Sequence, residues 1–294
     1  MYKYVVRVPM HAPRVTLGAY VRRAFSLLPE SAVRAAFEQR DIKMDGRRCK
    51  RDEKVQPGAE IILFTPCRME MPVIYEDGDI LALDKPAGVS CDADAYGSIT
   101  VADWAAFYAG DAYTPRLCHR LDNATSGLVV LAKNDHAEEA LKAMFARHEG
   151  GKTYACIVLG TPKPLNAVCT AWLTKDAAHA RVHISAQEKP GAKRIETAYQ
   201  VQQKGAASLL QVVLHTGRTH QIRAHMAFLG HPILGDDVYG NHAANRQYAA
   251  DRLMLRAVSL ELDTQGALPQ CDGKALNVPI ILDEFYKRIN EKSI

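Results

Sequence analysis

The sequence lacks the features of a membrane, secreted or thiolate-metal protein. No apolar run in its 294 residues is long enough to cross a bilayer, and Met1-Tyr2-Lys3-Tyr4 lacks the layout of a signal peptide, so we expect neither a membrane segment nor a leader. The seven cysteines are scattered and include no Cys-x-x-Cys pair, which argues against a disulfide framework or a thiolate zinc site. This cysteine usage fits a reducing compartment, and we expect a cytoplasmic protein.

Motifs of several common enzyme classes are also missing. The sequence has no Gly-rich phosphate loop, and Ser126 has no Gly-x-Ser-x-Gly elbow around it, so serine-hydrolase chemistry is not expected. Four histidines follow one another at spacings of 5, 5 and 6 residues, which differ from the i, i+4 pair of a helical metal site. These histidines are His215, His220, His225 and His231. We therefore expect no bound metal.

The charge is unevenly divided along the chain. Residues 1–70 hold 14 Lys and Arg against 8 Asp and Glu, a net charge of +6, whereas residues 71–294 hold 23 against 25, a net charge of −2. A small basic segment beside a near-neutral body is typical of a polyanion-binding appendage. A solvated basic surface would give the same balance, so charge alone leaves both interpretations open.

The first part of the chain is predicted to be a small separate module. The predicted division is a module at 1–66, a linker at 67–72 and a larger domain at 73–294. Apolar residues at helical spacing predict a helix over Val15–Phe25, and Ser31 is expected to cap a second helix. A strand, an Asp45-Gly46 turn and a closing strand are expected to follow as a basic hairpin.

The larger part of the chain combines short strands with few helices. A hairpin of Val73–Tyr75 and Ile80–Leu83 is predicted to open it, and Asn134 or Asp135 to cap a helix that ends at Gly150-Gly151. The other predicted elements are helices at 100–108 and 219–229 and strands at 152–159, 194–202 and 208–214. This pattern predicts an α+β fold with a bent, mostly antiparallel mixed sheet flanked by helices.

One nonamer, HRLDNATSG at His119–Gly127, places the carboxylate of Asp122 between a basic pair and a Thr-Ser-Gly turn. The apolar run at 128–132 follows at once, so Asp122 is expected on a loop that leads into a buried strand. A rigid element holds such a position, as catalytic side chains require. An isolated Asp after Arg-Leu is more often a turn residue or a salt-bridge partner, so the other motifs decide between the two interpretations.

Four further segments stand in order along the chain. They are LDKPAGV at 83–89, GKTY at 151–154, GRTHQIRAH at 217–225 continued by GHPILGD at 230–236 and YG at 239–240, and RLMLRA at 252–257. With the nonamer they resemble the motifs of the RluA-type family of pseudouridine synthases, which isomerise uridine in structured RNA. The resemblance extends from residue 80 to about 260, with Arg256 where a His is common. Residues 1–66 resemble the alpha-L RNA-binding module of a ribosomal small-subunit protein, with Asp41 where a Gly is often seen.

The resemblance implies catalytic roles for three residues: Asp122, Tyr154 and Arg223. For this role the Asp122 carboxylate must be ionised and directed at the substrate. Arg223 is its implied partner, because a nearby Arg favours the charged form of a carboxyl group. A structural ion pair is compatible with that role of Arg223. Tyr154 is implied to stack on the target base, although a Tyr at a strand start is usually a core residue. Arg120 is implied to help occupy the space left by the flipped nucleotide, where a phosphate contact is the default interpretation.

Further residues are assigned to RNA binding through the same resemblance. The implied substrate-binding residues are Arg120, His119, Thr125, Lys85, Arg218, His220, Gln221 and Leu255. Lys85 is expected to shape the loop at the rim of the site. In the N-terminal module the expected RNA-binding residues are Arg22, Arg23, Arg34, Lys43, Arg47 and Arg48.

The implied reaction exchanges bonds within one nucleotide, so the resemblance predicts no cofactor of any kind. The target base must be extruded at a cost of a few kcal/mol. Asp122 then acts covalently, either at the anomeric carbon or on the uracil ring. Structured RNA is the expected partner, with ribosomal RNA favoured over transfer RNA because of the basic module and with a monomer as the default state.

Two alternatives stand beside this interpretation. The first is a non-catalytic RNA-binding or ribosome assembly factor on the same fold, against which the intact Asp122, Tyr154 and Arg223 argue. The second is a hydrolase of N-glycosidic bonds, since the first bond broken is the same. Glycoside hydrolases commonly use two carboxylates, and the motifs mark Asp122 alone.

Overall fold

The computed structural model describes residues 1–147 and 151–291. Within these ranges the helices are α1 (Leu17–Ala24), α2 (Glu30–Glu38), α3 (Val101–Ala109), α4 (Asp135–Arg147), α5 (Gln221–Phe228), α6 (His242–Gln247) and α7 (Leu282–Glu291). The strands are β1 (Tyr2–Arg7), β2 (Ile42–Met44), β3 (Arg47–Arg48), β4 (Glu60–Thr65), β5 (Val73–Glu76), β6 (Ile80–Lys85), β7 (Arg116–Leu117), β8 (Ser126–Ala132), β9 (Lys152–Leu159), β10 (Asn166–Asp176), β11 (Arg181–Ser185), β12 (Lys193–Gln203), β13 (Ala207–Leu214), β14 (Leu255–Glu261) and β15 (Ala275–Asn277).

The first compact unit comprises Met1–Pro72 and Gly88–Leu117. Its four-stranded antiparallel sheet has the order β1-β4-β2-β3. Strand β1 was not predicted, although Tyr4 and Val6 are buried and alternate with more exposed neighbours. Its partner β4 lies at the opposite end of the module sequence, so no hairpin turn announces the pairing. The segment Gly88–Leu117, expected in the larger domain, makes its contacts within this unit.

Two predicted helix starts are shifted by cap chemistry. The cap assigned to Ser31 is wrong, because α2 begins at Glu30 with Pro29 at the N-cap, and Ser31 lies in the first turn. Helix α3 begins after Thr100, whose hydroxyl accepts from the backbone N–H of Asp103 while the Asp103 carboxylate accepts from the N–H of Thr100. This reciprocal capping box satisfies two backbone donors that the first helical turn leaves without partners.

The second compact unit comprises Val73–Ala87 and Cys118–Ile294. Nine of its strands form one sheet in the order β11-β10-β12-β13-β9-β14-β8-β6-β5, and β15 pairs with β14. The pairing of β14 with β8 is parallel, and the other pairings within this unit are antiparallel. Helix α4 packs against β8, α5 against β11 and β12, and α7 against β9 and β13. The predicted α+β fold with a mostly antiparallel mixed sheet is confirmed.

This unit contains more strands and helices than were predicted. Strand β9 has the predicted bounds, and Asn134 caps α4 by accepting from the backbone N–H of Ala137. Helix α4 ends at Arg147, and the predicted end at Gly150 lies outside the described residues. Strands β10, β11, β14 and β15 and helices α6 and α7 were not predicted. Strands β10 and β11 lie at one edge of the sheet, whereas β14 lies inside it between β9 and β8.

Strands β6 and β8, which lie next to each other near the β5 edge of the sheet, are apolar and buried. In β6 the side chains of Ile80–Leu83 are fully buried, as are those of Val129–Ala132 in β8. Such continuous apolar runs are typical of strands covered on both faces, and each large side chain contributes about 1.5–3 kcal/mol by leaving water. No helix among the described residues is long and apolar enough to cross a membrane.

Glycine at 127 is required where β8 approaches β14. The parallel register pairs Gly127 with Ala257, and a Cβ at position 127 would lie 2.1 Å from the carbonyl oxygen of Ala257. Gly127 also has a φ of 111°, a conformation that residues with side chains rarely adopt. The last residue of the nonamer therefore fixes how closely the loop that carries Asp122 is held against the sheet.

Candidate active site

Asp122 lies on the loop immediately before β8. The backbone N–H of Thr125 donates to the carbonyl oxygen of Asp122 at 3.0 Å, which closes a turn around the carboxylate. Thr125 is buried beneath this turn, whereas 25% of the Asp122 side chain remains exposed. The carboxylate is thus held by a fixed backbone and is still accessible to a ligand.

Lys85, at the end of β6, forms hydrogen bonds with the same loop. Its side chain is fully buried at the end of β6, and its Nζ donates to the carbonyl oxygens of Pro86 and Asn123, each at 3.1 Å. Since Asn123 follows Asp122 directly, the Lys85 ammonium fixes the backbone beside the carboxylate. These contacts give Lys85 an anchoring position, which agrees with the expectation that it shapes the loop.

Arg223 on α5 connects Asp122 to a second, buried carboxylate. Its Nε and Nη2 donate to the two oxygens of Asp236 at 2.7 and 2.9 Å, and its Nη1 lies 3.5 Å from Oδ2 of Asp122. Burial alone would raise the pKa of Asp236, but the hydrogen bonds and charge of Arg223 and the amides of Tyr239 and Val238 hold that pKa below its usual value. Asp236 therefore stays ionised and orients the guanidinium toward Asp122.

His220 approaches the same oxygen of Asp122 from another direction. Its Nε2 lies 3.8 Å from Oδ2, and its Nδ1 lies 3.0 Å from the hydroxyl oxygen of Tyr239. The residue occupies the left-handed region at φ 54° and forms the N-cap of α5. Burial lowers the pKa of His220 although the charge of Asp122 opposes the shift, so the imidazole is neutral at neutral pH.

Tyr154 is the third of the residues predicted to be catalytic, and it lies close enough to Asp122 to be affected by its charge. It is 9% exposed on β9, and its pKa is raised first by burial and then by the negative charge of Asp122. Its phenol is therefore protonated at neutral pH. Leu255 lies nearby in the sheet, buried on β14 and paired with Cys156 of β9.

A model of the RNA pseudouridylate synthase family matches residues 79–228, just over half of the 294 residues. This chain belongs to that family. A protein of Chlorobaculum parvum named uncharacterized RNA pseudouridine synthase is 33% identical over 256 residues, covering 80% of this chain and 76% of its own. Ribosomal large subunit pseudouridine synthase C of Vibrio cholerae is 27% identical over 266 residues, covering 82% of this chain and 83% of its own. The predicted RluA-type resemblance is confirmed, and the synthase is an isomerase that acts on RNA.

A solved structure supports the fold of the synthase. Human RNA pseudouridylate synthase domain containing 1 superposes with a TM-score of 0.60 at 24% identity, covering 74% of this chain and 86% of its own. At that identity the likeness concerns the fold, which agrees with the α+β architecture described above.

Gln221, predicted to bind substrate, uses its side-chain amide to form hydrogen bonds around the loop before α5. Its Oε1 accepts from the hydroxyl of Thr216 at 2.8 Å and from the backbone N–H of Arg218 at 3.1 Å. Its Nε2 donates to the carbonyl of Glu196 at 3.0 Å and to the hydroxyl of Thr197 at 3.1 Å. With 2% of its surface exposed, Gln221 shapes the loop that carries Arg218, whose own side chain is exposed.

His119 and Arg120 point to different environments in the synthase. The His119 Nε2 accepts from the backbone N–H of Val130 at 3.0 Å, and the ring packs against Phe145. Burial, assisted by the charge of Lys152, lowers the pKa of His119 to about 3, so this imidazole stays neutral. Arg120 is exposed. Of the basic pair in the nonamer, Arg120 is thus the member that solvent and ligands reach.

The predicted RNA-binding residues of the N-terminal module lie in the first compact unit. The exposed members are Arg22, Arg23, Arg34, Arg47 and Arg48, and Lys43 is partly buried. Among their local contacts, Arg47 forms a 2.8 Å ion pair with Glu53, and the Arg23 guanidinium lies 3.5 Å from the centre of the Tyr96 ring. Their guanidinium groups remain at the surface, as phosphate contacts require.

Sequence reasoning missed two kinds of partner residue. Asp236 and Tyr239 were quoted within a motif but received no role, and their positions next to Gly235 and Gly240 were the available signal. Asp84 forms a 2.6 Å ion pair with Arg256, which also donates from Nε to the carbonyl of Pro279 at 2.8 Å. This pair joins β6 and β14, the two strands that flank β8. Across the described ranges no group of three or more His, Cys, Asp or Glu is arranged to hold a metal ion.

Proposed function

We propose that this synthase converts uridine to pseudouridine in ribosomal RNA and that the carboxylate of Asp122 forms the covalent bond to the substrate. One observation carries the proposal: a partly exposed carboxylate lies 3.5 Å from Nη1 of Arg223, whose other nitrogens are bound to the buried Asp236. The guanidinium holds the Asp122 carboxylate in a fixed direction, which is what a nucleophile needs before the substrate arrives.

The same geometry disfavours a glycosidase of the two-carboxylate type. Such enzymes place a carboxylic acid and a carboxylate on either side of the scissile bond. Asp236 is 1% exposed and both of its oxygens bind Arg223, so it has no free oxygen for a sugar or a water. Asp122 thus acts as a single carboxylate, which suits an exchange of bonds without net hydrolysis.

Tyr154 and Arg120 fit the handling of an extruded base. The protonated phenol of Tyr154 offers a neutral aromatic face beside Asp122, and base–aromatic stacking is worth about 1–3 kcal/mol. That energy offsets much of the cost of unstacking a uridine. The exposed Arg120, two residues before Asp122, is in reach of the backbone or of the vacated stack. Either route, attack at the anomeric carbon or on the ring, uses these groups.

The choice of ribosomal RNA rests on two supports. The relative from Vibrio cholerae carries the name ribosomal large subunit pseudouridine synthase C. The basic segment in residues 1–70, with a net charge of +6, supplies a docking surface for phosphates. In this proposal residues 1–66 are an RNA-binding module, 67–72 a linker and 73–294 the catalytic domain. A cytoplasmic location goes with such a substrate.

Tritium release tests the catalytic proposal. RNA transcribed with uridine tritiated at carbon-5 is incubated with wild type, Asp122→Asn and the exposed control Asp237→Asn, in separate reactions with ribosomal and transfer RNA. We expect release from ribosomal RNA by wild type and the control, and none by Asp122→Asn. Asp122→Asn is expected to bind the same RNA, because the substitution preserves size and removes one charge.

Each other outcome has a definite meaning. Near wild-type release by Asp122→Asn would refute the role of Asp122. Release from transfer RNA alone would refute the substrate class and keep the chemistry. Free uracil among the products would identify an N-glycosidic hydrolase. RNA binding without release from either RNA would identify the non-catalytic assembly factor.

A charge-neutralised full-length variant tests the module. The triple substitution Arg22→Gln, Arg34→Gln and Arg48→Gln removes three exposed charges, and a matched variant removes three exposed lysines of the second unit, namely Lys189, Lys204 and Lys287. Each lost phosphate contact lowers the slope of log affinity against log salt by about 0.7–0.9. We expect a slope reduced by about 2 in the arginine variant. Equal slopes in both variants would refute the docking role.

A further inference from the structure

Three hydrogen-bonding groups form a chain that ends at Asp122. The backbone N–H of Val182 donates to the hydroxyl oxygen of Tyr239 at 2.8 Å, and that oxygen lies 3.0 Å from Nδ1 of His220. On the other side of the imidazole, Nε2 lies 3.8 Å from Oδ2 of Asp122. The chain links a backbone donor on β11 to the carboxylate on the loop before β8.

The direction of each proton in this chain follows from the first donor. An amide N–H only donates, so the Tyr239 oxygen accepts from Val182. The Tyr239 hydroxyl proton then points to Nδ1 of His220, the acceptor beside it in the described part of the chain. A neutral imidazole that accepts at Nδ1 carries its proton on Nε2. That N–H is directed at Asp122.

The fold holds both rings in place. Tyr239 packs against a buried cluster of Ala171, Leu173, Val182, Ile195 and Ala224. The ring of His220 meets the ring of Tyr239 edge to face, with centroids 5.6 Å apart. The backbone of His220 is the N-cap of α5, and the contact with Tyr239 is what holds its ring. A contact of 3.8 Å is longer than a hydrogen bond, and such catalytic contacts commonly tighten when substrate binds.

The charges around His220 are balanced, which keeps the ring neutral. Asp122 faces it from the loop before β8, and Arg223 from α5. Asp236 and Tyr239 face it from the segment after α5, and Arg181 of β11 lies 5.9 Å from the Tyr239 ring centre. Burial is the largest influence and lowers the pKa of His220, so it does not compete with Arg223 as a second cation.

Both neighbours of Asp122 contact one and the same oxygen. The Nη1 of Arg223 is 3.5 Å from Oδ2, and the Nε2 of His220 is 3.8 Å from it. Two donors on Oδ2 leave Oδ1 as the oxygen that can turn to a ligand. The carboxylate of Asp122 therefore has one defined oxygen, Oδ1, available to a ligand.

We propose that His220, in the tautomer set by Tyr239, is a positioning residue that fixes Oδ2 of Asp122 and directs Oδ1 at the uridine. This inference rests on the proposed function, in which Asp122 forms the covalent bond. In either route the carboxylate supplies the electron pair of the new Oδ1–carbon bond, and Oδ2 becomes the carbonyl oxygen of the ester. The displaced pair stays on the uracil, and the carboxylate returns when the ester breaks.

The substitution Tyr239→Phe tests the chain, because it removes the hydroxyl and keeps the ring that packs on the core. His220 loses the donor that stabilises its neutral form, so it takes up a proton at higher pH. The resulting imidazolium lowers the nucleophilicity of the Asp122 carboxylate. We expect kcat to fall about tenfold at neutral pH, KM to stay within about twofold, and the acid limb of the pH–kcat profile to move up by about one unit, the effect of one hydrogen bond. Tyr199→Phe, which removes another buried tyrosine hydroxyl, serves as the control.

A second variant separates positioning from a general packing effect. His220→Gln places a non-titrating N–H near Oδ2, so it should retain more kcat than His220→Ala. Adding it to Tyr239→Phe should abolish the upward shift of the acid limb, because the glutamine side chain does not take up a proton. The tautomer itself is read from long-range ¹H–¹⁵N spectra of the histidine rings, which should show the His220 proton on Nε2 in wild type. This measurement needs no variant to fold.

The outcomes distinguish this inference from the proposed function. An unchanged acid limb and kcat in Tyr239→Phe, or a His220 proton on Nδ1, would overturn the positioning role. A raised KM with unchanged kcat in His220→Gln would assign His220 to RNA contact and overturn it as well. Activity in Asp122→Asn refutes the proposed function, whereas an inactive Asp122→Asn with unaltered Tyr239→Phe refutes the positioning role alone.

Discussion

Arg223 binds the buried Asp236 with two hydrogen bonds, 2.7 Å from Nε and 2.9 Å from Nη2, and presents its remaining nitrogen to Asp122. The planar fork makes this possible, because a guanidinium donates from three nitrogens in fixed directions. A lysine in its place would supply the charge without the directions. The pair thus determines where the Asp122 carboxylate is held as well as how stable the helix–turn region is.

Arg223→Lys should therefore lower both activity and stability. We expect kcat in the tritium-release assay to fall about 100-fold and the free energy of unfolding in urea to fall by about 3 kcal/mol, because Asp236 stays buried with an incomplete partner. Arg194→Lys, in an exposed ion pair with Glu196, is the matched control and should change stability by less than about 0.5 kcal/mol. Equal effects of the two substitutions would contradict the importance of the fork.

Gly127→Ala should break the parallel contact between β8 and β14. The new methyl group would lie 2.1 Å from the carbonyl oxygen of Ala257, in a residue that already has a φ of 111°. Gly230 has a φ of 86° with no atom within 4 Å of its added Cβ, so Gly230→Ala measures backbone strain alone, about 1–3 kcal/mol. We expect Gly127→Ala to lose at least about 2 kcal/mol more in urea unfolding. Similar losses in Gly127→Ala and Gly230→Ala would show that β8 and β14 can move apart at position 127 without loss of stability.

Lys85→Met should disturb the Asp122 loop through its backbone. The carbonyl oxygens of Pro86 and Asn123 lose a buried donor, at a cost of about 1–3 kcal/mol for each group left without a partner. We expect kcat to fall about tenfold as the loop shifts, with RNA affinity nearly unchanged. Lys193→Met, at an exposed site on β12, controls for the loss of charge. A loss of affinity with normal kcat would instead indicate direct RNA contact by Lys85.

His225 should make the synthase less stable in mild acid. Burial lowers its pKa from 6.5 to about 4, so between these values the unfolded chain binds a proton that the folded chain does not. The free energy of unfolding should then fall by up to about 3 kcal/mol as pH drops from 6.5 to 4. His225→Asn should flatten the curve in this window, and the exposed control His242→Gln should not. A curve that stays as steep in His225→Asn would exclude this origin.

Much of the local structure around the nonamer follows from the sequence. The apolar run of β8 and the turn that carries Asp122 depend on neighbours within a few residues. The need for Gly127 does not, because it arises from the contact with Ala257 of β14. The sheet class was predictable for a similar reason, since short apolar segments between turn residues favour antiparallel pairing. The cap of α2 shows the limit, because Pro29 with its fixed φ begins the helix before Ser31.

The sequence by itself determined the family, the fold class and the residues of the motifs, because each is written in short runs of adjacent amino acids. Only the tertiary structure decided that Asp236 binds Arg223, that the Tyr239 hydroxyl contacts Nδ1 of His220, and that His119 binds β8 while Gln221 binds the loop before α5. These contacts join a loop, a helix and a turn that are far apart in the chain. Hydrogen bonds and ion pairs act over a few ångströms, so the partners exist only once the packing of the sheet and α5 has brought those elements together.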